Sequence, residues 1–110
     1  MEINIKNADT NAVVEVSGDV DMSNSPRLRE ALLKVMRDGH GSMVVVSLEQ
    51  VEYVDSSGIA SLVEGLQEAR KRKVSFRLAG LNDGPRHVLE LTRLIDVFDV
   101  YPSQAEALQA

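Results

Sequence analysis

The chain contains no cysteine and no tryptophan, and aromatic residues make up only 4% of its 110 positions. Without thiols there can be no disulfide and no thiolate-held metal, which fits a reducing compartment without establishing one. A core built from this composition must be aliphatic. No apolar run approaches the roughly 20 residues that cross a bilayer, and MEINIKNADT has no basic stretch followed by an apolar one. A secretory leader and membrane insertion are therefore not expected, and the expected location is cytoplasmic. Bases are also in short supply, 12 against 17 acids, for a net charge of −5. Nonspecific nucleic-acid binding depends on many Lys and Arg contacts to phosphate, so no nucleic-acid partner is expected. The one basic run, Arg70-Lys71-Arg72-Lys73, falls where a helix should end, and cations there complement the helix dipole. The histidines, His40 and His87, are isolated, and the glycines are scattered rather than gathered in a phosphate loop, so no metal or cofactor is expected. Ser56 or Ser57 with His87 lacks the Gly-x-Ser-x-Gly elbow of a hydrolase, and no catalytic residue is assigned.

What is present is a 44% share of hydrophobic residues in a length that suits one domain over 1–110. Ile3 and Ile5 alternate with polar neighbours, and AVVEV at Ala12–Val16 follows the polar stretch Asn7–Asn11, which predicts a hairpin. Ser25-Pro26 opens a helix, the serine hydroxyl as cap, with Leu28, Ala31, Leu32, Val35 and Met36 on one face. Asp38-Gly39-His40-Gly41 ends it. MVVVSL at Met43–Leu48 suits a strand buried on both faces. A second helix carries Ile59, Leu62, Val63, Leu66 and Ala69 on one stripe. VSFRLA at Val74–Ala79 is a strand, and Asn82-Asp83-Gly84-Pro85 starts a third helix that turns Val88, Leu89 and Leu91 inward. Phe98, Val100 and Tyr101 predict a last strand, and Ser103 caps a C-terminal helix over Ala105 and Leu108. The order β-β-α-β-α-β-α-β-α predicts an α/β fold, a mixed and mostly parallel sheet with about four helices packed against it.

The stretch VEYVDSSGIASLVEG at Val51–Gly65 places an acid and two serines where the strand pattern becomes a helix pattern. On its simplest reading, Asp55 or Ser56 caps the helix. Two details exceed that reading. A cap needs one hydroxyl, not two, and Gly58 removes a side chain from the first turn, leaving room for another surface to approach.

YVDSSGIASL, preceded by MVVVSLEQVE and followed by VSFRLAGL, resembles the signature region of STAS domains. More narrowly, it is similar to bacterial anti-sigma-factor antagonists of the sporulation and stress-response type. Gly18-Asp19-Val20-Asp21 and LTRLIDVFDVYPS also resemble segments of that family, so the likeness covers nearly the whole chain. Ser47 departs from it, standing where the family often has Asp or Asn, which bears on the polar network around the junction. The resemblance implies a non-enzymatic switch that regulates transcription through protein–protein interaction. The unmodified antagonist sequesters an anti-sigma factor that is also a serine kinase with a histidine-kinase-like ATPase fold. Phosphorylation releases it, and a serine phosphatase restores the unmodified form. Carried onto this chain, the phosphorylated residue is Ser56, with Ser57 second. The expected partner surface centres on the start of the Ile59 helix, with Asp55, Ser56, Ser57, Gly58 and exposed parts of Ala60 and Ser61, and the neighbouring loop Asp21, Met22, Ser23 and Asn24 shares it. A phosphate at a helix N-terminus should be tolerated by the dipole and by free N–H groups there. An alternative within the same fold is a cytoplasmic STAS subunit that braces the ATPase of an ABC-type lipid transporter. Monomer and homodimer both remain open.

Overall fold

A computed structural model describes residues 1–8, 10–39 and 42–110, without the side chain of Ala8. The readings placed on Asp9, His40 and Gly41 lie outside the described residues. The elements are β1 (Glu2–Ala8), β2 (Asn11–Ser17), α1 (Ser25–Arg37), β3 (Met43–Gln50), α2 (Ser56–Arg72), β4 (Ser75–Ala79), α3 (Asp83–Leu91), β5 (Asp99–Tyr101) and α4 (Gln104–Gln109). The strands form one sheet in chain order, β1-β2-β3-β4-β5. The opening hairpin is antiparallel and every later pairing is parallel, as the alternation of strand and helix predicts.

Each parallel step moves one strand onward, and such crossovers keep one hand, so the intervening helices fall on one face. There α1, α2 and α3 cover Ala12, Val14 and Val16 of β2, Val44, Val46 and Leu48 of β3, and Phe76 and Leu78 of β4. Leu28, Leu32, Leu62 and Leu89 descend from the helices and are at most 1% exposed. Burying a leucine fully contributes about 1.5–3 kcal/mol, so this aliphatic layer dominates the stability. The two phenylalanines, Phe76 and Phe98, meet within it at 6.4 Å between ring centres.

The opposite face holds a smaller apolar cluster of Val13, Val45 and Ala79 under Ala107 of α4. β3 is thus buried on both sides, as its β-branched run predicts. Arg77 of β4 secures α4: its Nη1 donates to the carbonyl oxygens of Ala107 and Ala110, both at 2.7 Å, and its guanidinium lies 5.2 Å from the centre of the Tyr101 ring. A six-residue helix cannot hold itself, because forming a first turn is unfavourable in isolation. Replacing Arg77 by Met should therefore release α4 while leaving the other helices intact. Amide exchange should speed up at Ala107–Gln109 and stay unchanged in α2.

Three local expectations need correction. Leu91 does not turn inward but is 69% exposed, because α3 ends there and Leu89 fills the core position. Ser25 does not cap α1 with its hydroxyl: it is buried as the first helical residue, and the N-cap is Asn24, whose side chain is engaged elsewhere. At α4 the inward residue is Ala107, with Ala105 exposed; Ser103 caps that helix as expected, accepting from the Glu106 N–H at 3.2 Å.

Candidate functional site

Beyond the ends of β2 and β3 the two chains continue alongside each other. Val20 forms a parallel bridge with Val54, its N–H donating to the Tyr53 carbonyl at 2.9 Å, while the Asp55 N–H donates to the Val20 carbonyl at 3.1 Å. Both valines are buried, at 0% and 2% exposure, so the apolar member of each Asp-Val-Asp and Val-Asp pattern anchors the segment. The acids are thereby carried outward to the rim, with Asp21 beside Asp55.

Asp55 is the hub of this rim. As N-cap of α2, its Oδ1 accepts from the N–H groups of Ser57 at 2.9 Å and Gly58 at 3.2 Å, and from the Ser57 hydroxyl at 2.6 Å. Its Oδ2 accepts from the Met22 N–H at 3.1 Å, which ties the loop after Val20 to the start of α2. That loop has its own lock. Asp21 Oδ1 accepts from the N–H and hydroxyl of Ser23, and the Asn24 side chain accepts from the Asp21 N–H at 2.9 Å while donating to the Asp19 carbonyl at 3.0 Å.

The two serines are held differently. Ser57 is half-buried with its hydroxyl bound to Asp55, whereas Ser56 is exposed and enters no side-chain hydrogen bond among the described residues. The second hydroxyl is thus part of the cap, which leaves the first one available. Ala60, one turn on, is exposed, and Met22 is 78% exposed, an unusual display for a large apolar side chain.

Three expectations about this rim are overturned. Gly58 leaves no room for a visiting surface: it is buried, and a Cβ there would stand 2.6 Å from Val54 Cγ1 and 2.8 Å from Val20 Cγ1. Its missing side chain admits the valine bridge of the protein's own core. Ser61 offers nothing to the surface either, being 5% exposed, with its hydroxyl donating to the carbonyls of Ser25 and Ser57 at 3.1 and 3.2 Å. It faces α1, not solvent. Finally, the N–H groups of Ser57 and Gly58 are not free to receive a phosphate, because Asp55 already occupies them. Ser47 lies apart from all this, on the face of β3 that α4 shares, and takes no part in the Asp55 network.

The Asp55 carboxyl is held below the usual carboxylate range, chiefly by the hydrogen bond from the Ser57 hydroxyl. Partial desolvation opposes this, and the N–H groups of Gly58, Ser57 and Met22 reinforce it. A pKa that is lower folded than unfolded means that the stabilisation is complete above the unfolded value. It is then lost as pH falls through the folded one. The cap should therefore contribute fully near neutrality and fade below about pH 4. Comparing urea unfolding of the unaltered chain and Asp55→Asn should show a difference at pH 7 that shrinks as pH falls toward 3; a gap that holds steady across that range would contradict the assignment.

An apolar groove of about 500 Å³ adjoins Ser56, lined by Ile59, Ala60, Val63 and Glu64 of α2 and by Thr92 and Leu94 beyond α3. Sequence reading missed it. Ile59 and Val63 look like core positions of an amphipathic stripe, and the stretch Thr92–Asp96 carries no periodicity that would set it beside α2. Arg93, with a φ of 61°, turns the chain back at that point, and an arginine carries no local signal for such a turn.

The comparisons with known proteins agree with this geometry. The STAS domain profile matches residues 2–107. An anti-sigma-B factor antagonist of Listeria monocytogenes is 30% identical over 107 residues, covering 96% of this chain and 93% of that protein. One from Staphylococcus aureus is 31% identical over 87 residues, covering 79% and 80%. The crystal structure of an anti-sigma factor antagonist from Mycobacterium paratuberculosis superposes with a TM-score of 0.88 at 29% identity, over 98% of this chain and 91% of that one. With matching sequence over nearly its full length and the sheet order and helix placement described above, this chain belongs to the STAS domain family.

Proposed function

We propose that this chain is an anti-sigma factor antagonist, a binding module that works without catalysis. Unmodified, it sequesters an anti-sigma factor that is also a serine kinase of the histidine-kinase-like ATPase fold. Phosphorylation of Ser56 releases that partner, and a serine phosphatase resets the switch in the cytoplasm. The observation that carries this reading is the contrast between the two serines: Ser56 is presented bare at the tip of α2, while Ser57 is tied to Asp55. Around Ser56 lie the groove along α2 and the exposed Met22, apolar surface that a partner can cover. Ser23 and Ala60 complete the exposed rim, with Asp21, Asn24 and Asp55 holding it in shape. The relatives carry antagonist names, which favours this reading over a transporter subunit.

Incubation with the partner kinase and ATP, followed by phosphopeptide mapping, tests it. One phosphate should appear on Ser56. Ser56→Ala should abolish labelling, and Ser57→Ala should retain it. Labelling of Ser57, or of another residue with Ser56 untouched, would overturn the assignment.

A further inference from the structure

β1 is an edge strand, paired with β2 on one side and with no strand on the other among the described residues. An open edge pairs with another chain unless something blunts it. Here the strand runs seven residues without a proline, and its one lysine, Lys6, is paired with Glu15 of β2. Ile5 on this edge is 41% exposed, an apolar side chain that the chain's own core leaves uncovered.

The segment Glu2-Ile3-Asn4-Ile5-Lys6 has the same order of residue kinds from either end, with charges of opposite sign at its two tips. Laying two copies antiparallel about a two-fold axis at Asn4 sets Glu2 opposite Lys6, Ile3 opposite Ile5, and Asn4 opposite its equivalent. Alternation along a strand puts Glu2, Asn4 and Lys6 on one face and the isoleucines on the other, so every facing pair matches in kind. Moving the axis to Ile5 would set Asn7 against Ile3 and lose both ion pairs. Moving it to Ile3 also loses them. We propose that this chain forms a two-fold dimer through β1, joining two sheets edge to edge in the register centred on Asn4.

Within one copy Lys6 also meets Glu15 at 3.3 Å, and its side chain is 58% exposed, so its ammonium can serve a carboxylate on each side. Ser56 follows β3, two strands in from this edge. The dimer therefore goes beyond the phosphorylation switch and stands or falls separately from it.

Sedimentation equilibrium of the full chain and its variants tests the register. The contact is small, and self-association with a dissociation constant of about 10–100 μM is expected. Glu2→Lys alone and Lys6→Glu alone each set like charges opposite one another and should weaken association about tenfold or more. Mixed in equal amounts, the two variants should form heterodimers as readily as the unaltered chain dimerises, because each like-charged strand then meets its opposite. Asn4→Cys leaves the charges alone and guards against a reversal that disturbs folding. With no native cysteine, it should oxidise to a disulfide-linked dimer, since residues facing across an antiparallel pair have Cα atoms about 4.5–5.5 Å apart. A chain that stays monomeric throughout, charge variants that associate as the unaltered chain does, a mixture that fails to pair, or an Asn4→Cys chain that does not cross-link would each overturn the proposal.

Discussion

Phosphorylated on Ser56, the chain should bind the anti-sigma factor proposed as its partner about 100- to 1,000-fold more weakly, a loss of roughly 3–4 kcal/mol. The new group carries about −1.5 to −2 charges near neutral pH. It cannot withdraw into the start of α2, because the Asp55 carboxylate already holds the Ser57 and Gly58 N–H groups. That same carboxylate, ionised well into the acid range, repels the dianion. The phosphate must stand out into solvent, where a partner covering the apolar groove would have to desolvate it. The scaffold should hardly respond, since Ser56 is exposed and contributes no side-chain hydrogen bond of its own among the described residues. Titration calorimetry on modified and unmodified protein reads the affinity, and thermal melts read the scaffold. The expected pair of results is a large loss of binding and a nearly unchanged Tm.

The second large effect belongs to Gly58. Gly58→Ala introduces a Cβ that must push Val54 and Val20 apart, since the gaps of 2.6 and 2.8 Å are too short for any carbon contact. Overpacking a filled core site costs about 1–3 kcal/mol. For a domain of this size each kilocalorie lowers Tm by about 4–8 °C. The damage is also functional, because separating the valine bridge moves the Met22 loop away from Asp55. Partner affinity should therefore fall together with Tm. Ala60→Gly, two residues further along on the exposed side of α2, should leave Val20 and Val54 in place and lose only the few tenths to 1 kcal/mol of a helix-interior glycine. Equal Tm values for Gly58→Ala and Ala60→Gly would show that the packing argument is wrong.

The periodic parts of this protein are legible in its sequence. Val44, Val46, Leu62 and Leu66 sit where an apolar run or a helical stripe demands, and the resulting order of elements determines a mixed sheet. The D-S-S-G junction was legible too, as a cap with a hydroxyl to spare. What escaped was anything set by contacts between segments far apart in the chain. Nothing local to Gly58 shows that Val20, thirty-eight residues earlier, fills the space beside it. Ser61 reads as a polar surface residue until α1 is laid across it and the Ser25 carbonyl claims its hydroxyl. The free N–H groups expected at the head of α2 are spent for a similar reason: Asp55 is near enough to take them and is fixed in place by Met22 from another loop. Leu91 shows the converse, an apolar residue at the right spacing but past the point where the helix still faces the core.

The proposed switch is a change of charge at one exposed oxygen of a frame that keeps its shape. Backbone amide spectra of the chain before and after complete phosphorylation of Ser56 test that most directly. Shift changes should be confined to Asp55–Ala60 and the adjacent Asp21–Ser23, with Asp55 still bonded to the Met22 and Ser57 amides. Widespread shifts through α1, β4 or the far end of α2 would contradict it, showing that release comes from a reshaped domain.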